Sequence, residues 1–464
     1  MKLIKFSGKQ IRGYMNFDID FDGSLNFLIG INGTGKTTIL KLLAGLLSPS
    51  YIELVQIDFS EIEVICERLT NIESSSTIKI SCNKSNNKLK LKITEPKKLM
   101  EIENEFLLYE QNSSVTLHRK DFIDSEKLNR IADNFEELEV VRYIKELRTP
   151  LFIGLNRRTI DRNQMIVEER EFYSRRRHLN FDNMCNMYDS VDSALNEIQS
   201  MFYNYVRQKA QSQYSISEQF RRKVFEESFK IKENYLISNI EYMRELERLE
   251  ERRKELNNAI DNLDVKDLSK QFSEYFDSMK KTLEILSSTS SLDEKGLPNE
   301  EYVRVLLQWM IKSSQIEKID NIIRYANDYL KNIQRLKEPI NRFVDSVNLF
   351  FNESHKEIEV DNKGEIIIKT KTKGKKFSVF ELSSGEKQLI IMLAHIAFSY
   401  KYKNSPILII DEPELSLHIS WQELFVDALL NVSPNSQCIL ATHAPAIIAH
   451  IERRKNCIDL TNIN

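Results

Sequence analysis

Only nine prolines and twelve glycines punctuate this chain of 464 residues, and between 185 and 350 they thin to Gly296, Pro298 and Pro339. A sequence so poor in turn formers is built largely of long regular elements. No window approaches the run of about 18 consecutive apolar residues that a membrane span requires. The opening stretch, MKLIKFSGKQIRGYMNF, lacks the apolar centre of a signal peptide. Five cysteines (Cys66, Cys82, Cys185, Cys438, Cys457) are scattered without a CxxC pair, which speaks against a disulfide framework or a zinc site and for a reducing compartment. Neither sign of charge dominates: 66 basic residues face 69 acidic ones, so any contact with nucleic acid must be local. These absences describe a soluble, cytoplasmic protein with no membrane partner, long enough for one to three domains.

What is present changes character twice along the chain. Residues 1 to 30 alternate apolar and polar and end in LNFLIG, reading as strands; TTILKLLAGLLSP follows as a helix stopped by Pro49. The runs IELVQIDFSEIEVI, STIKISC and KLKLKITE predict an antiparallel sheet, and LFIGL at 151–155 a short buried strand. From about 185 to 350 helix formers dominate. Leu246, Leu249, Leu256, Ile260 and Leu263 keep a three-four spacing that Arg253 interrupts, which fits a helix in a bundle or a short coiled coil. EKGLPNE at 294–300 reads as a loop between helical hairpins. Strands return after 352: KEIEVDNKGEIIIKT predicts a hairpin turning at Asn362–Gly364. The fold class expected is α/β at both ends, with a long α-helical insertion between: residues 1–155, 156–350 and 351–464.

Chemistry concentrates in four short stretches. GINGTGKT, Gly30 to Thr37, is a phosphate loop set between a strand and a helix. Gly33 and Gly35 let backbone N–H groups curl around phosphate oxygens at a helix N-terminus, Lys36 can reach the β- and γ-phosphates, and the Thr37 hydroxyl can ligate Mg²⁺. The nucleotide-binding set expected here is Asn32, Gly33, Thr34, Gly35, Lys36, Thr37 and Thr38. PILIIDEPELSLH supplies the acidic element: Asp411 to hold Mg²⁺, and Glu412 to polarise the attacking water. ILATHAP ends a further buried strand at Thr442 and His443, where an imidazole can meet the γ-phosphate or the catalytic water. In ELSSGEKQ, residues Ser383, Ser384 and Gly385 cap the helix running from Glu386, with its N–H groups left free for an anion.

Taken in that order, GINGTGKT, LSSGEKQ, ILIIDEPELSLH and ATHAP resemble the ABC-type ATPase head, with its phosphate-loop core and appended antiparallel sheet. Far more chain separates loop from signature than in transporter ATPases, so the resemblance is to the RecF, OLD and SMC-like branch. It implies ATP and Mg²⁺ as ligands, and heads that pair head to tail so that each ATP is gripped by one copy's loop and the other's signature. Ser383 and Gly385 would then contact a γ-phosphate held by the partner, Glu414 to Leu417 would form the D-loop, and Arg12 in IRGY would sense phosphate. No glutamine follows a suitable strand; Asn156 or Arg157 would stand in for it. The layout is most similar to the Septu anti-phage ATPases (PtuA) and their retron-associated relatives. That similarity implies a separate HNH nuclease subunit (PtuB) as partner, DNA reached through the complex, and no nuclease site in this chain, whose end leaves no room for the toprim domain of OLD proteins. The alternative is a RecF-like repair ATPase that clamps DNA. The arginine-rich stretch at 156–178 reads as a solvated loop or a phosphate-contacting one, and ERRKN at 452–456 as solvated.

Overall fold

A computed structural model describes residues 1–68, 76–108, 125–147, 150–154, 191–230, 242–263, 269–293, 295, 297–371, 374–398, 407–415 and 417–462. These divide into two compact units, one of Met1–Asn204 with Ile340–Asn464 and one of Tyr205–Pro339. The chain enters the first unit through β1 (Lys2–Ile11), β2 (Met15–Asp20), β3 (Leu25–Ile29), α1 (Lys36–Leu47) and α2 (Tyr51–Gln56). Then come β4 (Glu61–Arg68), β5 (Ser76–Ser85), β6 (Lys88–Glu95), β7 (Met100–Leu107), α3 (Ser125–Glu136), α4 (Glu139–Glu146) and β8 (Leu151–Ile153). The helices α5 (Val191–Ser228), α6 (Tyr242–Leu263), α7 (Ser269–Ser288), α8 (Glu300–Ser313) and α9 (Ile316–Phe351) come next. The last part holds β9 (Lys356–Val360), β10 (Ile366–Thr370), β11 (Lys376–Ser378), α10 (Ser384–Phe398), β12 (Ile407–Asp411), α11 (Ile419–Val432), β13 (Gln437–Ala441), α12 (Pro445–Ile448) and β14 (Cys457–Asp459).

Two larger sheets frame the first unit, and β11-β10-β9 forms a third, of three strands. An antiparallel sheet runs β2-β1-β4-β5-β6-β7, and a parallel one runs β14-β3-β13-β12-β8. The difference is written in the side chains. The antiparallel strands alternate cleanly, turning Ile62, Val64, Ile78, Ile80, Leu91 and Ile93 inward. Their outer faces carry cross-strand charge pairs such as Lys90–Glu103 (2.6 Å) and Lys79–Glu63 (2.7 Å). Exposed pairs of this kind contribute about 0–1 kcal/mol each, so they specify register more than they stabilise. The parallel strands β12 and β13 are buried at every position, as strands covered on both faces must be. Helix α1 lies within the core shared by the two sheets, which explains an apolar surface around most of its girth. Gln437 at the start of β13 is buried but fully matched: its Oε1 accepts from Leu3 N (2.6 Å) and its Nε2 donates to Leu3 O (2.7 Å) and Asp22 O (2.8 Å).

The hairpin expected after 352 forms as β9 and β10, with Asp361 Oδ1 accepting from Lys363 N and Glu365 N (2.8 Å each). Gly364 in its turn has φ 94°, and a Cβ there would meet the Phe202 carbonyl oxygen at 2.9 Å, so both conformation and close backbone approach require glycine. One expected strand is instead a helix. IELVQ, read as the start of an alternating run, folds into α2, because Tyr51 and Leu54 sit three apart and bury one helical face against α1. The alternation begins only at Glu61. The run ERRKN also departs from the solvated reading: Arg453 is largely buried and ion-paired with Asp427.

In the second unit Leu249, Leu256 and Ile260 of α6 share a core with Phe276, Met279, Leu283 and Leu286 of α7 and with Val305 and Trp309 of α8. The stripe therefore packs as part of a bundle. Arg253, which interrupts it, binds Ser273 Oγ (2.6 Å) and Asp277 Oδ1 (2.8 Å) on α7. No helix among the described residues is long and apolar enough to cross a membrane.

Candidate functional site: a phosphate cradle with an acidic rim

Register in the parallel sheet decides where the site lies. Asp411 pairs with Ala441, and Ala441 with Leu28, so β12, β13 and β3 end level with one another. The loops beyond them, Gly30–Gly35, Glu412–Leu415 and Thr442–Ala444, therefore leave the sheet at one carboxyl edge, where parallel α/β sheets place their ligands. β8 ends at the same edge, with Ile153 opposite Ile410. Asn156 and Arg157, the stand-ins for the missing glutamine, lie outside the described residues, as does the arginine-rich stretch 156–178.

At that edge a cleft of about 300 Å³ is lined by Arg12, Tyr14, Met15, Asn32, Gly33, Gly35, Lys36, Thr37, Thr38 and Glu412. Gly33 (φ 90°) and Gly35 (φ 94°) take left-handed conformations that turn the backbone into the helix. At Gly35 a Cβ would press on Phe17 (3.0 Å) and Met15 (3.2 Å), so the loop rests directly on β2. Thr34 is buried and braces the loop, its hydroxyl donating to Ile31 O (2.9 Å). Lys36 is also buried; its Nζ donates to Gly30 O (2.7 Å) and Ile31 O (3.2 Å), holding a cation across the loop with carbonyls rather than a carboxylate as partners.

The acids converge on the same edge. Thr37 Oγ1 donates to Asp411 Oδ1 at 3.2 Å, bringing together a hydroxyl and a carboxylate oxygen, the hard donors Mg²⁺ prefers. Burial pushes the Asp411 carboxyl above its ordinary range; the Thr37 hydrogen bond opposes that, while the charges of Glu412 and Glu414 reinforce it. A cation held there would relieve this electrostatic cost, so the residues present fit the ion. The sign of the shift gives a stability prediction. A carboxyl whose folded pKa is raised costs stability progressively as the pH climbs from its unfolded pKa toward its folded one, and the cost is complete above the folded value. Asp411→Asn is therefore expected to raise the melting temperature of the nucleotide-free protein at pH 7 by a few degrees, on the order of 1–4 °C. Calorimetry on the two proteins checks it, and the gain should vanish at pH 3.

Glu412 comes directly after Asp411 with φ 47°, a left-handed conformation that is strained for a residue bearing a Cβ. In extended backbone two successive side chains point to opposite faces. Here the reversal lets Asp411 meet Thr37 while Glu412 lines the same cleft. The turn is closed by Pro413 and by Leu415 N donating to Glu412 O (3.2 Å). Arg12, also left-handed (φ 51°), reaches the cleft from the β1–β2 turn, anchored by its N–H to Asp58 O (2.7 Å). Tyr14 on that turn belongs to none of the sequence motifs. It is 69% exposed and lines the cleft, which gives a nucleobase a flat face to stack on.

His443 sits between two acids, its Nδ1 3.9 Å from Glu412 Oε1 and 3.0 Å from Glu414 Oε1. Ser383 and Ser384, by contrast, are exposed at the start of α10, and neither they nor Gly385 and Glu386 line the cleft. The cap there differs from the one expected. Ser383 N and Oγ both donate to Glu386 Oε2 (2.9 Å each), so that N–H and hydroxyl already serve an anion built into the helix. Burial works to raise the Glu386 pKa, but the Lys356 ammonium (2.7 Å) and the Ser383 donors outweigh it and hold the carboxyl below its usual range. Ser384 and Gly385 are left as the outward-facing part of the first turn.

The family model for the AAA ATPase domain matches residues 1–448. The chain belongs to that family. Its motif order makes it an ABC-type ATPase of the RecF/SMC-like branch, and so an ATP-binding protein. Among curated proteins it is similar to the Retron Vc95 probable ATPase of Vibrio cholerae, 25% identical over 232 residues, which cover 45% of this chain and 41% of that protein. The Retron Ec83 probable ATPase of Escherichia coli is 34% identical over 84 residues, 16% of each chain. The matched region thus spans well under half of either relative. The SMC head domain of Pyrococcus furiosus, solved with an extended coiled coil and the C-terminal domain of ScpA, aligns over 97% of this chain and 91% of that one, with 12% identity and a TM-score of 0.38. The SMC head domain of Thermotoga maritima aligns over the same shares with 12% identity and a TM-score of 0.34.

Proposed function

We propose that this chain is the ATP-hydrolysing subunit of a prokaryotic anti-phage defence complex, and that its nucleotide state controls a separate HNH nuclease that cuts DNA. The observation that carries the reading is the division of the site. The loop, Arg12 and Glu412 share one cleft, while Ser383 and Ser384 stand exposed and Gly385 half-buried outside it. A cleft complete on the triphosphate side and open on the other is suited to closure by a second copy, with ATP between the two. The retron relatives support the defence setting; the nuclease partner rests on the resemblance to the Septu ATPases.

Within one head the chemistry is set by the donors. Lys36 and the loop N–H groups bind the phosphates and offset their charge. Thr37 and Asp411 would hold Mg²⁺, which when bound neutralises charge building on the β–γ bridge. Glu412 accepts a proton from the attacking water, and Arg12 orients the γ-phosphate. A lone head lacks the donors of Ser383 and Gly385 from a partner, so hydrolysis is slow until heads pair, and the protein behaves as a switch rather than a motor.

Purification from the native operon with and without ATP tests this directly. A small HNH protein should co-elute, and the complex should cut DNA at a rate that changes with nucleotide. Tight ATP-dependent DNA binding by this chain alone, with no nuclease partner recovered, would favour the DNA-clamp alternative.

A further inference from the structure

Glu414 lies three residues beyond the strand end and is 5% exposed. Its Oε1 is the most heavily used acceptor at the rim: Thr442 Oγ1 donates to it at 2.8 Å and His443 N at 2.9 Å, with His443 Nδ1 at 3.0 Å. Its Oε2 is buried and has no hydrogen-bond partner among the described residues. Leaving such an oxygen unmatched costs about 1–3 kcal/mol, so this carboxylate is kept in place against a penalty. The turn that delivers it is tied at both ends, by Glu412 N to Ala441 O (2.9 Å) and Leu417 N to Glu414 O (3.0 Å).

The short contact to the ring decides a proton. An imidazole with a bare Nδ1 would set its lone pair against a carboxylate oxygen 3.0 Å away, which is repulsive; with the proton on Nδ1 the contact is attractive.

We propose that Glu414 is a positioning residue for hydrolysis: by accepting from Thr442 Oγ1 and His443 N and holding a proton on His443 Nδ1, it fixes the orientation in which the imidazole stands at the rim. Glu414 sits in the segment that the resemblance assigns to the D-loop, so a shift of that segment would move Thr442 and His443 with it. This inference rests on the ATPase reading.

The test is made on the full chain with ¹⁵N-labelled histidine, the His443 signals being assigned with His443→Gln. Without nucleotide at pH 8, the imidazole nitrogens should show a proton on Nδ1. Glu414→Gln keeps a carbonyl oxygen for the three donors and should preserve both that pattern and kcat to within about threefold. Glu414→Leu removes the acceptor; it should shift the proton to Nε2 and lower kcat by about tenfold or more, with KM for ATP within about twofold. A wild-type ring with a bare Nδ1 overturns the proposal, as does a folded Glu414→Leu protein with wild-type kcat. Because the wild-type spectrum needs neither a variant nor turnover, it stands if Glu414→Leu fails to fold. With Lys36→Ala as the inactive reference, a chain that hydrolyses no ATP would count against the ATPase reading and leave the tautomer result in place.

Discussion

Glu412→Gln is expected to lower ATP turnover by about 10²–10³-fold while leaving ATP binding intact. The amide keeps the shape of the side chain but cannot take a proton from water. Nothing else at the rim can replace it cheaply. Asp411 is committed to Thr37 Oγ1, and Glu414 turns its used oxygen toward Thr442 and His443. The φ of 47° matters here, because that strained turn brings a second carboxylate to the cleft that Asp411 already serves. Removing the charge of Glu412 also lowers the repulsion between the rim and the triphosphate, which should favour the loaded state. The variant should therefore trap ATP and shift the chain toward paired heads, visible as a larger species in light scattering only when ATP is present. Unchanged turnover would show that Glu412 is not the base.

Much of this site is legible in the sequence because each of its parts is local. A phosphate loop needs glycine where φ is positive and a lysine and threonine at fixed offsets, and all of these lie within eight residues, Gly30 to Thr37. The buried strands ILII and CILA announce themselves by unbroken apolar runs, and the residues just past each strand are placed at the sheet edge by position alone. The α2 segment misleads because Ile52 and Leu54, two apart in the sequence, also fit an alternating run, and only packing against α1 decides for the helix. Glu414 is harder still. In the sequence it is one more acid after a proline; its importance lies in contacts to residues 28 and 29 positions away, across a parallel pair whose register no periodicity announces. The built-in anion at the cap has a visible sign, since Ser383 and Glu386 stand at capping-box spacing. Its consequence does not, because only the structure shows Lys356 completing the charge balance behind it.

That cap sharpens the test of assembly. Ser383→Arg should reduce hydrolysis by at least about 10²-fold and leave ATP affinity nearly unchanged, because the bulky cation replaces a donor meant for another copy's nucleotide. Lys36→Ala should do the reverse and abolish ATP binding in its own cleft, where the ammonium bridges Gly30 O and Ile31 O. The two defects lie on opposite sides of a head-to-tail pair. Mixed in equal amounts, the two inactive proteins would form some pairs with one wholly intact site, its Lys36 from one copy and its Ser383 from the other. Turnover should therefore reappear on mixing, reaching about a quarter of the wild-type rate if pairing is random and sites act independently. Heads whose two sites must fire together would show no recovery, but would still pair in the presence of ATP. The result that overturns the cross-copy arrangement is loss of ATP binding in Ser383→Arg alone, since that would place the serine at its own chain's nucleotide. In either arrangement the hydroxyl of Ser383 must first leave Glu386 Oε2 to serve a phosphate, so Glu386, held ionised by Lys356, sets how readily the donor is released.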